Sequence, residues 1–135
     1  KELRQAELVS VSHDEKLKQV QNKLEVIKVF GIKETFDFER TKEFEEVCDY
    51  FLFDTKGKER GGTGITFDWE VLKNYNSTKP FFLSGGIGLE QVAAIKKLMK
   101  TGLPIYALDV NSKFELEPGL KNLEQLKEFK NSLDV

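Results

Sequence analysis

The chain has 135 residues, with 39% hydrophobic and 11% aromatic content, which is ample for the core of one domain and excludes a disordered chain. A formal net charge of −2 and a pI near 5.6 exclude a sequence-independent nucleic-acid binder, which needs a clustered basic surface. No run of about 18 apolar residues and no secretory leader pattern is present, so membrane insertion finds no support and a cytoplasmic protein is expected.

Residues 1–25 read as a helical lead-in, with Ser12 and Glu15 spaced as a capping box and Leu17, Val20 and Leu24 on its buried face. His13 falls in the first turn of that helix and is expected to face water, since no nucleophile or carboxylate partner stands near it. The chain opens at Lys1 inside this helical stretch, which leads us to expect a larger protein around it. The first strand is VIKVFGI, from Val26, β-branched and aromatic. A helix is predicted over 41–48, burying Phe44, Val47 and Cys48 at i, i+3, i+4 spacing. Cys48 is thereby a core residue, because Glu45, Glu46 and Asp49 crowd it where a reactive thiolate would need positive charge. A lone cysteine and a lone histidine also leave no internal disulfide and no paired metal-ligand motif.

The second strand is the bulky run Tyr50, Phe51, Leu52 and Phe53, expected to be buried on both faces and ending on Asp54. Gly57, Gly61, Gly62 and Gly64 then form a loop able to close over a ligand, and Asp68 caps a helix from Trp69 to Tyr75. Asp54 has two readings at this point: a carboxylate placed for chemistry, or a capping residue after a strand. The third strand is PFFLSGG, closed by Gly85 and Gly86. It is followed by a helix over 89–100 that buries Val92, Ile95 and Met99 and stops at Gly102. The fourth strand, PIYALDV, leads to Asn111 and Ser112. A last helix is capped by Asn122 with Gln125, and buries Leu123, Leu126, Phe129 and Leu133.

Strands alternate with helices at intervals of about 25 to 30 residues, the rhythm of repeated βαβ units and hence of a parallel sheet. The strand ends then share one face of the sheet: Asp54 after the second, Ser84-Gly85-Gly86 after the third, Asp109 with Asn111 and Ser112 after the fourth. Ligands of α/β proteins bind at that face. Glycine backbone there and a helix N-terminus together suit a phosphate group.

The segments FLFDTKGKERGGTGITFDW, PFFLSGGIGLEQV and ALDVNSKFELEPGLKNLEQL, in that order, resemble the C-terminal half of the phosphoribosylanthranilate isomerases of tryptophan biosynthesis. The resemblance implies an α/β fold, the C-terminal half of a (β/α)8 barrel, with residues 26–135 supplying four parallel strands each followed by a helix. It implies an Amadori rearrangement of N-(5'-phosphoribosyl)anthranilate without cofactor or metal. By the same resemblance Asp54 is the general acid that protonates the ribose ring oxygen, and a cysteine ending the barrel's first strand is the base for the C2 proton. Gly85, Gly86, Asn111 and Ser112 would hold the phosphate, Asp109 would contact the substrate, and Gly57, Gly61, Gly62 and Gly64 would lie in the active-site loop. The base and the first four strands have no counterpart here, so the partner expected is an N-terminal half, in the same polypeptide or another, and this half alone is expected to be inactive. Two alternatives stay open: a related phosphosugar barrel such as indole-glycerol-phosphate synthase, or a non-catalytic phosphate-binding half-barrel. The synthase needs a lysine at a strand end, whereas Lys28 lies mid-strand and Lys56 in the loop.

Overall fold

The computed structural model describes residues 24–55 and 68–134. The helical lead-in with His13 and the loop glycines Gly57, Gly61, Gly62 and Gly64 lie outside the described residues; Leu24, expected on a buried face, is exposed. Four strands, β1 (Ile27–Gly31), β2 (Tyr50–Asp54), β3 (Phe81–Ser84) and β4 (Ile105–Asp109), pair in parallel in the order β1-β2-β3-β4. All four expected strands are present; β1, β3 and β4 are shorter than the segments that predicted them, and β2 runs on through Asp54.

The connections lie against one face of this sheet and account for its burial. Phe30, Phe51, Phe53, Phe81 and Leu83 are buried beneath Phe38, Leu72, Tyr75, Ile95 and Leu98. The opposite face is open: Ile27, Val29 and Tyr106 are 43%, 54% and 60% exposed, and Leu52 and Phe82 are half-buried. The expectation that β2 is buried on both faces is therefore corrected to alternation, with only Phe51 and Phe53 fully covered. A continuous apolar run signals burial on both faces, and here the second face has no cover among the described residues.

Two predicted α-helices are 3₁₀ segments, Phe38–Phe44 and Trp69–Asn74. With three residues per turn, side chains at i and i+3 eclipse. Phe38, Thr41 and Phe44 accordingly face the core in the first segment, and Trp69, Leu72 and Tyr75 in the second. Val47, placed on the buried face by a 3.6-residue period, is past the end of the first segment and 66% exposed. Cys48 is buried, as expected, and its thiol donates to the Phe44 carbonyl at 3.1 Å. Asp37 caps the first segment through Glu39 N–H, and Asp68 caps the second through Glu70 N–H, both at 3.0 Å.

After β3, a short 3₁₀ turn, Leu89–Gln91, leads into helix α1 (Val92–Met99). Its inward stripe is Gln91, Ile95 and Leu98, and Met99, one residue past that stripe, is 52% exposed instead of buried. Gly102 follows in the left-handed region at φ +80°, as its role as a stop requires. Helix α2 (Leu123–Leu133) is capped by Asn122, whose side-chain oxygen accepts from Gln125 N–H at 3.1 Å. Phe129 is buried and Leu126 and Leu133 pack on the core, but Leu123 is 67% exposed, so the stripe begins one turn later than expected. A small antiparallel hairpin, β5 (Glu115–Glu117) and β6 (Leu120–Lys121), turns through Gly119 at φ +85° and was not foreseen.

Candidate active site

Strand register brings the expected site residues together. Gly31, Asp54, Ser84 and Asp109 are successive partners across β1, β2, β3 and β4, so they form one row at the carboxyl ends of all four strands. Because side chains alternate along a strand, Asp54 shares its face with Tyr50 and Leu52, which is the open face and not the one under the helices. The row is polar where the rest of that face is apolar.

Hydrogen bonds tie the row laterally. Ser84 Oγ donates to Asp109 Oδ2 at 2.8 Å, and Asn111 Nδ2 donates to Asp109 Oδ1 at 3.1 Å. Both oxygens of Asp109 thus accept, which fixes the carboxylate and draws Asn111 back over the end of β4. On the other side, Thr55 N–H and Thr55 Oγ both donate to the Ser84 carbonyl at 2.8 Å, and the Trp69 indole N–H donates to Thr55 Oγ at 3.1 Å. The Ile32 N–H donates to the Asp54 carbonyl at 2.8 Å. The backbone on both sides of the Asp54 side chain is therefore held.

Beyond β3, Gly85 and Gly86 have φ of 103° and 65°, a conformation that disfavours any side chain. A Cβ on Gly86 would meet no atom within 4 Å, so glycine is required there by conformation and the space beside it is open. Asn111 and Ser112 are exposed after β4, with Ser112 opening the 3₁₀ turn Ser112–Phe114. The two segments are bridged by an ion pair, Lys113 Nζ to Glu90 Oε1 at 2.6 Å. Lys113 holds the Glu90 carboxyl below its ordinary value, chiefly through that hydrogen bond. A cavity of about 270 Å³ lined by Trp69, Glu70, Lys73, Gln91, Lys97 and Thr101 lies between the second 3₁₀ segment and α1. Among the described residues, no cluster of three or more His, Cys, Asp or Glu could hold a metal ion, and no helix is long and apolar enough to cross a membrane.

Sequence reasoning named Asp54, Asp109, Gly85, Gly86, Asn111 and Ser112 as candidates but missed the hydrogen bonds that connect the strand ends. Thr55 and Trp69 carry the link from β2 to the 3₁₀ segment, and one signal was present: an indole N–H in an apolar setting needs an acceptor.

A parallel sheet with its polar groups gathered at the carboxyl ends defines an α/β protein of the TIM-barrel type. Residues 8–132 match the family model described as N-(5'phosphoribosyl)anthranilate (PRA) isomerase, and the chain belongs to that family. It is 48% identical over 105 residues to the N-(5'-phosphoribosyl)anthranilate isomerase of Parabacteroides distasonis, covering 77% of this chain and 46% of that protein. The isomerase of Petrotoga mobilis is 43% identical over 107 residues, 78% of this chain and 50% of the relative. In three dimensions the chain is similar to phosphoribosyl anthranilate isomerase from Thermus thermophilus, with a TM-score of 0.62, 26% identity, and coverage of 86% of this chain and 53% of that one. A second similar structure is a phosphoribosyl anthranilate isomerase in complex with reduced 1-(o-carboxyphenylamino)-1-deoxyribulose 5-phosphate, with a TM-score of 0.58, 25% identity, and coverage of 87% and 52%. The chain spans about half the length of the curated relatives it matches.

Proposed function

We propose that this chain forms the C-terminal half of a (β/α)8 barrel that isomerises N-(5'-phosphoribosyl)anthranilate to 1-(2-carboxyphenylamino)-1-deoxyribulose 5-phosphate. The observation that carries the reading is the row of Asp54, Ser84 and Asp109 at the carboxyl ends of parallel strands, in a chain of this family. The uncovered apolar side chains of Ile27, Val29 and Tyr106 support the half-barrel reading, since four further strands would enclose that face.

Chemistry assigns the roles. Ring opening of the aminoribose needs a proton on the ring oxygen, and the Asp54 carboxyl delivers it, leaving the open-chain Schiff base. Removal of the C2 proton by a base on the upstream half then gives the enolamine, which tautomerises to the ketose. Gly85, Gly86, Asn111 and Ser112 hold the phosphate, with backbone donors exposed by the two positive-φ glycines. Asp109, fixed by Ser84 and Asn111, contacts the substrate and orders the phosphate segment.

The test joins residues 24–135 to the first half of the Parabacteroides distasonis isomerase and assays the fusion beside residues 1–135 alone. The fusion should turn over the substrate and the isolated chain should not, because a general base contributes about 10²- to 10⁴-fold. Efficient turnover by the isolated chain overturns the half-barrel reading, and a cooperatively melting fusion with no turnover overturns the catalytic one.

Titration of the chain with inorganic phosphate should shift the amide resonances of Gly85, Gly86, Asn111 and Ser112. Gly86→Ala should weaken the effect, because alanine disfavours φ near +65° by about 1 kcal/mol. Shifts confined to other residues would remove the assigned phosphate site.

A further inference from the structure

Thr55 is completely buried, and its hydroxyl uses both of its hydrogen-bonding capacities. It donates to the Ser84 carbonyl, which already accepts from Thr55 N–H, and it accepts from Trp69 Nε1. Continuing the parallel ladder needs only the backbone bond. A valine would fill the same volume, so shape does not explain the hydroxyl. What it adds is a fixed junction of three elements: the end of β2, the end of β3, and the 3₁₀ segment that starts at Trp69. Ser84 extends this junction through its own hydroxyl to Asp109 and thence to Asn111. One unbroken path therefore runs from the indole of Trp69 to the far end of the site.

Asp54 immediately precedes this junction. Its carbonyl is held by Ile32 N–H, and the next peptide is held by Thr55 on Ser84. We propose that Thr55 is a positioning residue, its hydroxyl setting where the Asp54 carboxyl stands relative to the Ser84–Asp109 side of the site. This rests on the catalytic reading of Asp54. Thr55 touches no substrate in this role. It acts through its neighbours, and a small error in the placement of an acid is costly, since a misplacement of about 1 Å can lower a rate by about 100-fold.

The experiment uses the active fusion described above and four variants: Thr55→Val, Thr55→Ser, Trp69→Phe and Asp54→Asn. Thr55→Val should lower kcat by about 10- to 100-fold while KM stays within about twofold, and should shift the pH dependence of kcat. Thr55→Ser, which keeps the hydroxyl, should restore kcat to within about threefold of the parent. Trp69→Phe should produce a smaller fall in kcat of the same kind. Trp69 is the one tryptophan of this chain, and its emission from the isolated chain, with the thermal midpoint, reports whether the junction remains packed. A Thr55→Val enzyme that melts earlier but keeps the parental kcat and pH profile overturns the inference and leaves a purely structural threonine. If Asp54→Asn is inactive in that same series, the catalytic reading stands without the Thr55 role. If Asp54→Asn turns over like the parent, the catalytic reading fails and the Thr55 inference fails with it.

Discussion

Asp54→Asn in the active fusion should lower kcat by about 10²- to 10⁴-fold with little change in thermal midpoint. The amide preserves the side chain's shape, and the bonds of Thr55, Ser84 and Asp109 that tie the row do not involve its ionisation. On the proposed mechanism, the substitution removes the proton that opens the ring. An interaction made only in the transition state depresses kcat and kcat/KM together, whereas loss of uniform binding raises KM alone. Steady-state kinetics and a melting curve on one preparation separate the two roles weighed for this residue. A variant that turns over normally would return Asp54 to the capping reading, a role in which asparagine serves about as well as aspartate.

The second large effect is on stability. Phe53→Ala should cost about 3–5 kcal/mol, a large part of the 5–15 kcal/mol that holds a typical domain together. Phe53 has no exposed surface and meets five other rings, with centroid distances of 4.8 Å to Phe81, 5.2 Å to Tyr75, 5.6 Å to Phe38, 6.1 Å to Phe51 and 6.2 Å to Phe30. These lie in the range where aromatic pairs add to area burial. Truncation leaves a hole lined by rings whose other contacts prevent them from moving in. Val29→Ala is the control, because its side chain is 54% exposed on the open face and its loss should cost less than about 1 kcal/mol in the isolated chain. Urea unfolding followed by circular dichroism compares the two. Equal shifts in midpoint would show that the helix-covered face is not the core.

The strands were legible because β-branched and aromatic runs bounded by glycine and proline are strong signals, and their order followed from the repeated βα rhythm. The alignment of the candidate residues was legible for the same reason: parallel register lines up the ends of consecutive strands, so Asp54, Ser84 and Asp109 are neighbours. The connections were read less well. In the two 3₁₀ segments the apolar residues recur at three, a spacing that an α-helix also uses, and only tight packing on the sheet selects the narrower turn. Val47, Met99 and Leu123 were misplaced because periodicity names a stripe without saying where the covering layer ends. The β5–β6 hairpin escaped because two and three residues are too few for alternation to register. Thr55 escaped because a hydroxyl carries no pattern; its meaning comes from Trp69 and Ser84, which are 14 and 29 positions away.

The strands stand in the sheet in the same order as in the chain, and this bears on how the molecule assembles. Neighbouring strands are joined by contacts separated by 23, 29 and 25 residues, for Val26 with Asp49, Thr55 with Ser84, and Ser84 with Asp109. No strand must thread between two already paired, and no contact between strands requires the whole chain to be in place. The entropy of closing each connection grows only logarithmically with its length, so three similar loops present three similar barriers. Assembly can advance one strand at a time as the chain emerges during synthesis, each arrival finding a ready edge. The open edge left by the latest strand is then the template for the next, and the same feature exposes a half-built sheet to pairing with the wrong chain until its neighbours arrive.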